Sequence, residues 1–229
     1  MENSMGDSTL NDVVSGKRVA IVGPSRNIEN YQDGDYIDSF DVVVRINDAR
    51  IDETHRGVKT DVVYIDGGMD RVDRHHEAHF VLVYPPSVWF ADRHNSTREF
   101  MSTSKRNHSH VADDFYWSLS EKLNTPKLEY NVRPNTGTMA IFHLMSFSPK
   151  SLYITGLDFY AGGYEPQHKL GGLTTEYIKN MMMSSDGGDH HCPPRQFKKF
   201  LELYESNKDV MTLYPPLQEL VENPDGRIL

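Results

Sequence analysis

Six short runs rich in apolar and β-branched residues are spread along the chain, and the first four are apolar almost throughout. A run that is apolar at odd and even positions alike is typical of a strand buried on both faces of a parallel sheet. The predicted strands are residues 18–23, 41–46, 60–65, 80–85, 151–156 and 210–215.

Between these runs lie segments whose apolar residues recur every three or four positions, as they do along one face of a helix. Strands that alternate with helices indicate an α/β fold with a mostly parallel sheet and right-handed crossovers. We therefore predict a single α/β domain over residues 17–229, preceded by a flexible tail over residues 1–16. The predicted helices are residues 97–106, 111–123, 136–147 and 194–206.

The composition narrows the class of protein. The chain of 229 residues carries 24 Lys and Arg against 33 Asp and Glu, a formal net charge of -9, with no basic run of the kind that binds nucleic acid. Its one cysteine excludes an internal disulfide. No stretch approaches the roughly 18 apolar residues of a membrane span, and the N-terminus lacks the features of a secretory signal. We expect a cytoplasmic protein with no nucleic-acid partner and no integral membrane span.

Ligands of parallel α/β sheets bind beyond the carboxyl ends of the strands, so the residues after each strand are the first candidates for a site. Gly23 ends the first strand and Ser25 comes just after it, while Asn47 follows the second strand and Asp66 the third. A small turn lets backbone N–H groups approach a phosphate, and the Asn amide can both donate and accept. Each of these residues is also compatible with an ordinary turn.

Two further segments could meet an anion. Asn135, Thr136 and Gly137 have the character of a helix N-cap, where unpaired N–H groups attract phosphate or carboxylate. Tyr160 and Tyr164 flank two glycines in the loop after the fifth strand, and their hydroxyls could bind a phosphate oxygen. An ordinary cap and an aromatic edge of the sheet are the alternatives.

His190 and His191 are candidates for a catalytic base, because an imidazole titrates near neutral pH. Cys192 follows them, but three adjacent residues rarely converge on one metal ion. The Pro-Pro pair at 193–194 predicts the start of a helix.

Other residues that could hold a metal are weaker candidates. His75 and His79 have the i, i+4 spacing of helical ligands, but they run directly into a predicted strand. Asp33 and Asp35 form an Asp-x-Asp pattern in a polar turn, where a solvated loop is the favoured interpretation. His143 lies within an apolar helix and is interpreted as a core residue.

The order of these segments resembles the sialyltransferases, in particular the bacterial lipooligosaccharide type. The segments are "GPS", "DSFDVVVRIN", "RGVKTDVVYID", "NTGTMA", "SLYITGLDFYAGGY" and a histidine followed by "FKKFLELY". The eukaryotic Golgi type is similar in "IDSFDVVVRIN" and "NTGTMA". The resemblance extends over residues 18–215.

The resemblance implies a Rossmann-like glycosyltransferase domain with a mobile lid, here residues 165–189. It implies transfer of a sialic acid, or a related acid such as Kdo, from its CMP ester to a glycan hydroxyl, with inversion and without metal or other cofactor. His191 would be the general base, with His190 as the alternative base. Tyr160 and Tyr164 would contact the leaving phosphate. The implied donor-binding residues are Gly23, Ser25, Asn27, Asn47, Asp66, Asn135, Thr136, Gly137 and Asp158.

One alternative belongs to a different functional class. A CMP-binding or glycan-binding module with the same fold could have lost the transferase chemistry. The first turn has no Asn beside its Gly, and Asp66 adds a carboxylate, and both features favour this alternative. A homo-oligomer is compatible with the sequence, which leaves the acceptor and the linkage open.

Overall fold

A computed structural model describes most of the chain. The described residues are 5–47, 49–66, 78, 80–83, 107–124, 132–163, 174, 176–177 and 191–224.

A sheet of seven strands forms the centre of the described structure, with the order β5-β4-β3-β2-β1-β6-β7 and parallel pairing throughout. All six predicted strands are present, and five of them are one to three residues shorter than predicted, while residues 84 and 85 of the predicted strand 80–85 lie outside the described residues. Their apolar side chains form the core on both faces of the sheet. The strands are β1 (Arg18–Val22), β2 (Val42–Ile46), β3 (Val62–Ile65), β4 (Phe80–Val83), β5 (Asn107–His110), β6 (Ser151–Thr155) and β7 (Met211–Leu213).

The sequence analysis missed β5, whose sequence is Asn-His-Ser-His. Among the described strands it pairs with β4 alone, at the edge of the sheet. An edge strand need not be apolar on both faces, so the pattern used to find the other strands does not apply to it.

Helices flank the sheet, which confirms the predicted α/β fold class. Three predicted helices are present, at 113–123, 136–146 and 193–205, and the predicted helix at 97–106 lies outside the described residues. A short 3-10 helix occupies Arg26–Asn30. The helices are α1 (Met5–Val14), α2 (Gly34–Asp38), α3 (Asp113–Leu123), α4 (Thr136–Ser146), α5 (Pro193–Glu205) and α6 (Pro215–Glu222). None of these helices is long and apolar enough to cross a membrane.

The predicted flexible tail over residues 1–16 is wrong for its described part, because α1 occupies Met5–Val14. Leu10 and Val14 are fully buried in the main core, and the partly buried Val13 packs against that core. The spacing of these three residues places them on one face of the helix, which packs near β5. The helix was not predicted because the segment is short and mostly polar.

The strand order reverses at β1. The chain progresses from β1 outward to β5 on one side, and β6 and β7 then add on the other side. Beyond the carboxyl ends of β1 and β6 the connections diverge, and an open α/β sheet offers its binding crevice at this position.

Candidate active site

The turns after β1 and β6 are joined backbone to backbone at this reversal point. The Gly23 N–H donates to the Thr155 carbonyl at 2.9 Å, and the Ser25 N–H donates to the Gly156 carbonyl at 2.8 Å. A Cβ on Gly23 would lie 2.3 Å from the Gly156 carbonyl oxygen, and Gly156 itself has φ +65°. Only glycine permits this approach, so the two turns have a fixed separation.

Asp158 is the centre of a buried polar cluster that strengthens this junction. Its Oδ2 accepts from the Ser25 hydroxyl at 2.6 Å, from the Asn27 side-chain amide at 3.0 Å and from the Gly162 N–H at 3.0 Å. Burial raises the pKa of the Asp158 carboxyl, and these hydrogen bonds oppose that shift. Asp158 therefore positions Ser25 and Asn27, while its predicted contact with a donor stays a prediction.

The N-terminus of α4 is capped as the sequence predicted. The Asn135 side-chain oxygen accepts from the Thr138 N–H at 2.8 Å. A Cβ on Gly137 would lie 2.8 Å from Leu157 Cδ2, so the start of the helix packs closely against the loop after β6. The remaining N–H groups and the helix dipole favour a negative charge at this end.

Asn47 joins the end of β2 to this helix. It adopts a left-handed backbone with φ 53°, its amide nitrogen donates to the Thr136 hydroxyl at 3.3 Å, and its side-chain oxygen accepts from the Asp66 N–H at 3.1 Å. The amide thus spans three segments. Asn47 therefore contacts both Thr136 and the backbone of Asp66, two residues that were predicted from separate parts of the chain.

Tyr160 extends this network toward the loop after β6. The Asn135 side-chain nitrogen donates to its hydroxyl oxygen at 2.9 Å. A phenol hydroxyl can accept one hydrogen bond and donate another, and Asn135 here uses its acceptor capacity. Tyr160 also has a left-handed backbone, with φ 70°.

His191 lies near the N-terminus of α4, and only Cys192 separates it from the start of α5. Its Nδ1 is 3.0 Å from the Arg133 carbonyl oxygen. A carbonyl only accepts, so the neutral ring carries its proton on Nδ1 and Nε2 is the basic nitrogen. This tautomer suits a general base.

Gln196 is a residue that sequence reasoning did not place in the site. It lies in the first turn of α5, fully buried, and its oxygen accepts from the Asn135 N–H at 3.0 Å while its nitrogen donates to the His191 carbonyl. Its spacing five residues after His191 was visible in the sequence. The partner at Asn135 is 61 residues away, and only the fold reveals it.

Backbone strain is concentrated at this site. The described residues include five non-glycine residues with positive φ, and four of them belong to the segments above. These four are Asn47, Phe159, Tyr160 and Cys192. Such conformations cost free energy and persist where the surrounding contacts fix them.

Every predicted site residue that the structure describes belongs to this connected group of loops. Tyr164 and His190 lie outside the described residues, as does most of the predicted lid at 165–189.

The residues that were weaker candidates for metal ligands lie apart from one another in the structure or outside its described part. Asp33 immediately precedes α2 and accepts from the Tyr153 hydroxyl at 3.1 Å, so the turn predicted around it leads into a helix. Cys192 is buried with Leu123 and Val132. His75 and His79 lie outside the described residues. Within the described part of the chain, no three His, Cys, Asp or Glu side chains form a group that could hold a metal.

His143 is a core residue, as predicted. It is 3% exposed, its Nδ1 lies 2.9 Å from the Tyr64 hydroxyl, and burial lowers its pKa to about 4. The ring is therefore neutral at physiological pH.

The parallel sheet, its reversal point and the loops gathered there define a Rossmann-like glycosyltransferase domain. The chain belongs to glycosyltransferase family 29 (sialyltransferase), whose family model matches residues 6–147. This confirms the resemblance and the enzyme class predicted from the sequence. No curated protein sequence matches the chain.

Solved structures of sialyltransferases are similar in fold. A mammalian sialyltransferase in complex with Gal-beta-1-3GalNAc-ortho-nitrophenol has a TM-score of 0.56 and 16% identity, over 89% of this chain and 71% of the other. The Campylobacter jejuni sialyltransferase CstII, in complex with the substrate analogue CMP-3FNeuAc, has a TM-score of 0.50 and 14% identity, over 88% and 87%. The monofunctional alpha-2,3-sialyltransferase Cst-I of Campylobacter jejuni has a TM-score of 0.51 and 15% identity, over 86% and 75%.

Proposed function

We propose that the chain transfers sialic acid from its CMP ester to a hydroxyl of a glycan acceptor, with inversion of the anomeric carbon and without a metal ion. The observation that carries this proposal is the position of His191. Its Nδ1 is bonded to the Arg133 carbonyl, two residues before the cap of α4, and this leaves Nε2 as the basic nitrogen.

The donor binds at the reversal point of the sheet. The N-terminus of α4 supplies N–H groups and a favourable dipole for the phosphate or the sugar carboxylate. Asn47 and Asn135 hold this end of the helix through Thr136 and Thr138. Ser25 and Asn27, fixed by Asp158, line the turn after β1.

The reaction is a single displacement. Nε2 of His191 accepts the proton of the acceptor hydroxyl as its oxygen attacks the anomeric carbon of the donor. The bond from that carbon to the phosphate oxygen breaks, and CMP departs with the electron pair. Attack opposite the leaving group inverts the configuration.

The leaving group carries one phosphate, which hydroxyl and amide donors can stabilise. The Tyr160 hydroxyl, whose oxygen accepts from Asn135, is the first proposed donor to the phosphate, and Tyr164 is the second. A divalent ion is then unnecessary for departure of the leaving group.

The test is an assay of the purified chain with CMP-sialic acid and with CMP-Kdo, each with galactose-terminated acceptors. We expect CMP release and a sialylated product of inverted anomeric configuration by NMR, with the rate unchanged by excess chelator. Tight binding of CMP with neither transfer nor donor hydrolysis would favour the binding-module alternative. Loss of all activity in chelator would contradict the metal-independent reaction.

A cytoplasmic location stays a prediction from the sequence, and so does a homo-oligomer.

A further inference from the structure

The segment that leads into α4 is attached to the end of α3. Asn124 directly follows α3, and its side-chain amide bonds both backbone groups of Val132. The amide oxygen accepts from the Val132 N–H at 2.7 Å, and the amide nitrogen donates to the Val132 carbonyl at 3.1 Å. The Ser120 hydroxyl donates to the same carbonyl at 2.8 Å. The peptide groups on both sides of Val132 are therefore held by side chains of α3 and its cap.

The Asn124 amide is itself fixed in orientation. Its nitrogen also donates to the Ser120 carbonyl at 2.6 Å, one turn earlier in α3. A carbonyl only accepts and a backbone N–H only donates, so these partners assign the oxygen and the nitrogen of the amide without ambiguity. Leu123 and Val132 are buried together beside these bonds, which keeps the two segments in contact.

Arg133 follows this attachment and precedes Pro134. A residue before proline is restricted to extended backbone, because helical geometry brings it into a clash with the proline ring. The peptide on one side of Arg133 is bonded to α3, and Pro134 limits rotation on the other side. These two constraints set the direction of the Arg133 carbonyl.

The Arg133 carbonyl determines which nitrogen of His191 is basic. It lies 3.0 Å from Nδ1, and an acceptor at this position keeps the proton of the neutral ring on Nδ1. If the carbonyl turned away, the proton could move to Nε2, and Nε2 could then no longer accept a proton from an acceptor hydroxyl. The direction of one backbone carbonyl therefore decides whether the proposed base is in the useful tautomer.

The end of α3 also contacts the segment that carries His191. Cys192 is buried in one cluster with Leu123 and Val132, and Arg195 Nη1 donates to the Leu123 carbonyl at 3.3 Å. Both partners of the bond between His191 and Arg133 are thus adjacent to residues held by the same helix end.

We propose that Asn124 is a positioning residue that orients the Arg133 carbonyl and thereby keeps the His191 proton on Nδ1. This inference rests on the proposed function. An amide suits the position because one acceptor and two donors are needed there at once. A leucine has similar volume but provides neither.

The experiment compares Asn124→Leu, which removes all three bonds of the amide, with Asn207→Leu as the matched control. Asn207 is also partly buried, lies just beyond the end of α5 and donates to the Leu203 carbonyl four residues earlier at 2.7 Å, as Asn124 does to Ser120. Its bond stays within α5 and does not reach the segment before α4. A third variant, Ser120→Ala, removes only the hydroxyl bond to the Val132 carbonyl.

The measurements are kcat per folded molecule, the Kd for CMP by calorimetry, and the tautomer of His191 by nitrogen NMR at a pH where the ring is neutral. We expect Asn124→Leu to lose about 10- to 100-fold in kcat, because small displacements of a catalytic group have effects of this order. CMP affinity should stay within about threefold, because binding that does not involve the base is retained.

The tautomer is the measurement that a merely structural role would not move. In Asn124→Leu the His191 proton should be shared between Nδ1 and Nε2, and Ser120→Ala should show a smaller change in the same direction. Asn207→Leu should keep the tautomer and the kcat of the natural chain, even where its stability falls as much as that of Asn124→Leu.

Three results would overturn the inference. They are a kcat of Asn124→Leu equal to that of Asn207→Leu, the natural His191 tautomer in Asn124→Leu, and a loss of CMP affinity as large as the loss of kcat. If Asn124→Leu does not fold, Ser120→Ala decides. An altered tautomer with a lower kcat in that variant supports the inference, and natural values of both reject it in favour of a purely structural role.

The NMR measurement also separates this inference from the proposed function. If the natural chain transfers no sialic acid, the proposed function is wrong. The inference is then judged by the His191 tautomer, and an unchanged spectrum in Asn124→Leu overturns it.

Discussion

At the scale of single residues, the site depends on which atom of each side chain faces its neighbour. The Arg133 carbonyl fixes the proton of His191 on Nδ1, and Asn135 uses both atoms of its side-chain amide, one for Thr138 and one for Tyr160. Replacing a side-chain nitrogen by an oxygen at such a position turns a donor into an acceptor with almost no change in side-chain volume. Substitutions here should affect catalysis more than stability.

Replacement of His191 by Ala removes the proposed base. We expect kcat for sialic acid transfer to fall by about 10²- to 10⁴-fold, the usual contribution of a general base. CMP affinity should change little, as measured by calorimetry. His55→Ala is a matched control, because the His55 Nδ1 also contacts a backbone carbonyl, that of Tyr31 at 2.7 Å. Equal activity of the two variants would contradict the assignment of His191.

His143 predicts a dependence of stability on pH. Its pKa in the folded chain is about 4, against an ordinary value of 6.5, because of burial. Between these values the unfolded chain binds the proton and the folded chain does not, so stability is complete above pH 6.5 and declines as the pH falls toward 4. The decline should reach about 3 kcal/mol, since one pKa unit corresponds to about 1.4 kcal/mol.

The measurement for His143 is the free energy of unfolding by denaturant at a series of pH values. The variant His143→Gln, which cannot titrate, provides the reference, and the difference between the two curves isolates this residue. Parallel curves from pH 7 to pH 4 would contradict the prediction.

At the scale of elements, the loops after β1 and β6 behave as one unit. Backbone bonds join Gly23 to Thr155 and Ser25 to Gly156, and the Asp158 carboxylate accepts from two side-chain donors and one backbone N–H. The junction is short because glycine allows the backbones to approach. The position of the donor-binding turn is therefore coupled to the folding of β6.

Replacement of Asp158 by Ala should destabilise the chain, because the hydroxyl of Ser25, the amide of Asn27 and the N–H of Gly162 all lose their acceptor. We expect the free energy of unfolding to decrease by about 2–4 kcal/mol, the order of a buried network that loses its centre. Urea denaturation measures this. Asp113→Ala, at the exposed first turn of α3, should differ from the natural chain by less than about 0.5 kcal/mol. A similar effect of both variants would refute the role of the cluster.

At the scale of the whole molecule, the sheet is completed by segments distant in sequence. β5 and α1 lie together at one edge, although about 90 residues separate them. Leu10 and Val14 of α1 are fully buried in the main core. The N-terminal segment is thus part of the fold.

Removal of residues 1–14 should destabilise the chain strongly, since it exposes the surface that Leu10 and Val14 cover. Leu10→Ala alone should cost about 2–5 kcal/mol, as large-to-small changes in cores do. Thermal unfolding and denaturant titration measure both effects. Asp12→Ala, at an exposed position of the same helix, is the control and should leave the midpoint nearly unchanged. A truncated chain as stable as the full one would contradict the packing of α1.

The local sequence was sufficient for the buried strands, the cap of α4, the start of α5 at the Pro-Pro pair and the core assignment of His143. Each of these depends on a pattern within a few residues, such as continuous apolar runs or the preference of Asn for a cap. The resemblance to sialyltransferases, now confirmed by family membership, rested on the order of such segments.

Only the tertiary structure decided which of these segments meet. The Ser25 hydroxyl and Asp158 are 133 residues apart, and Gln196 and Asn135 are 61 residues apart. The pairing of the edge strand β5 and the burial of one face of α1 likewise depend on distant segments, which no local pattern specifies. Local propensity acts within a few residues, whereas hydrogen bonds and burial between distant segments exist only after the sheet has ordered them.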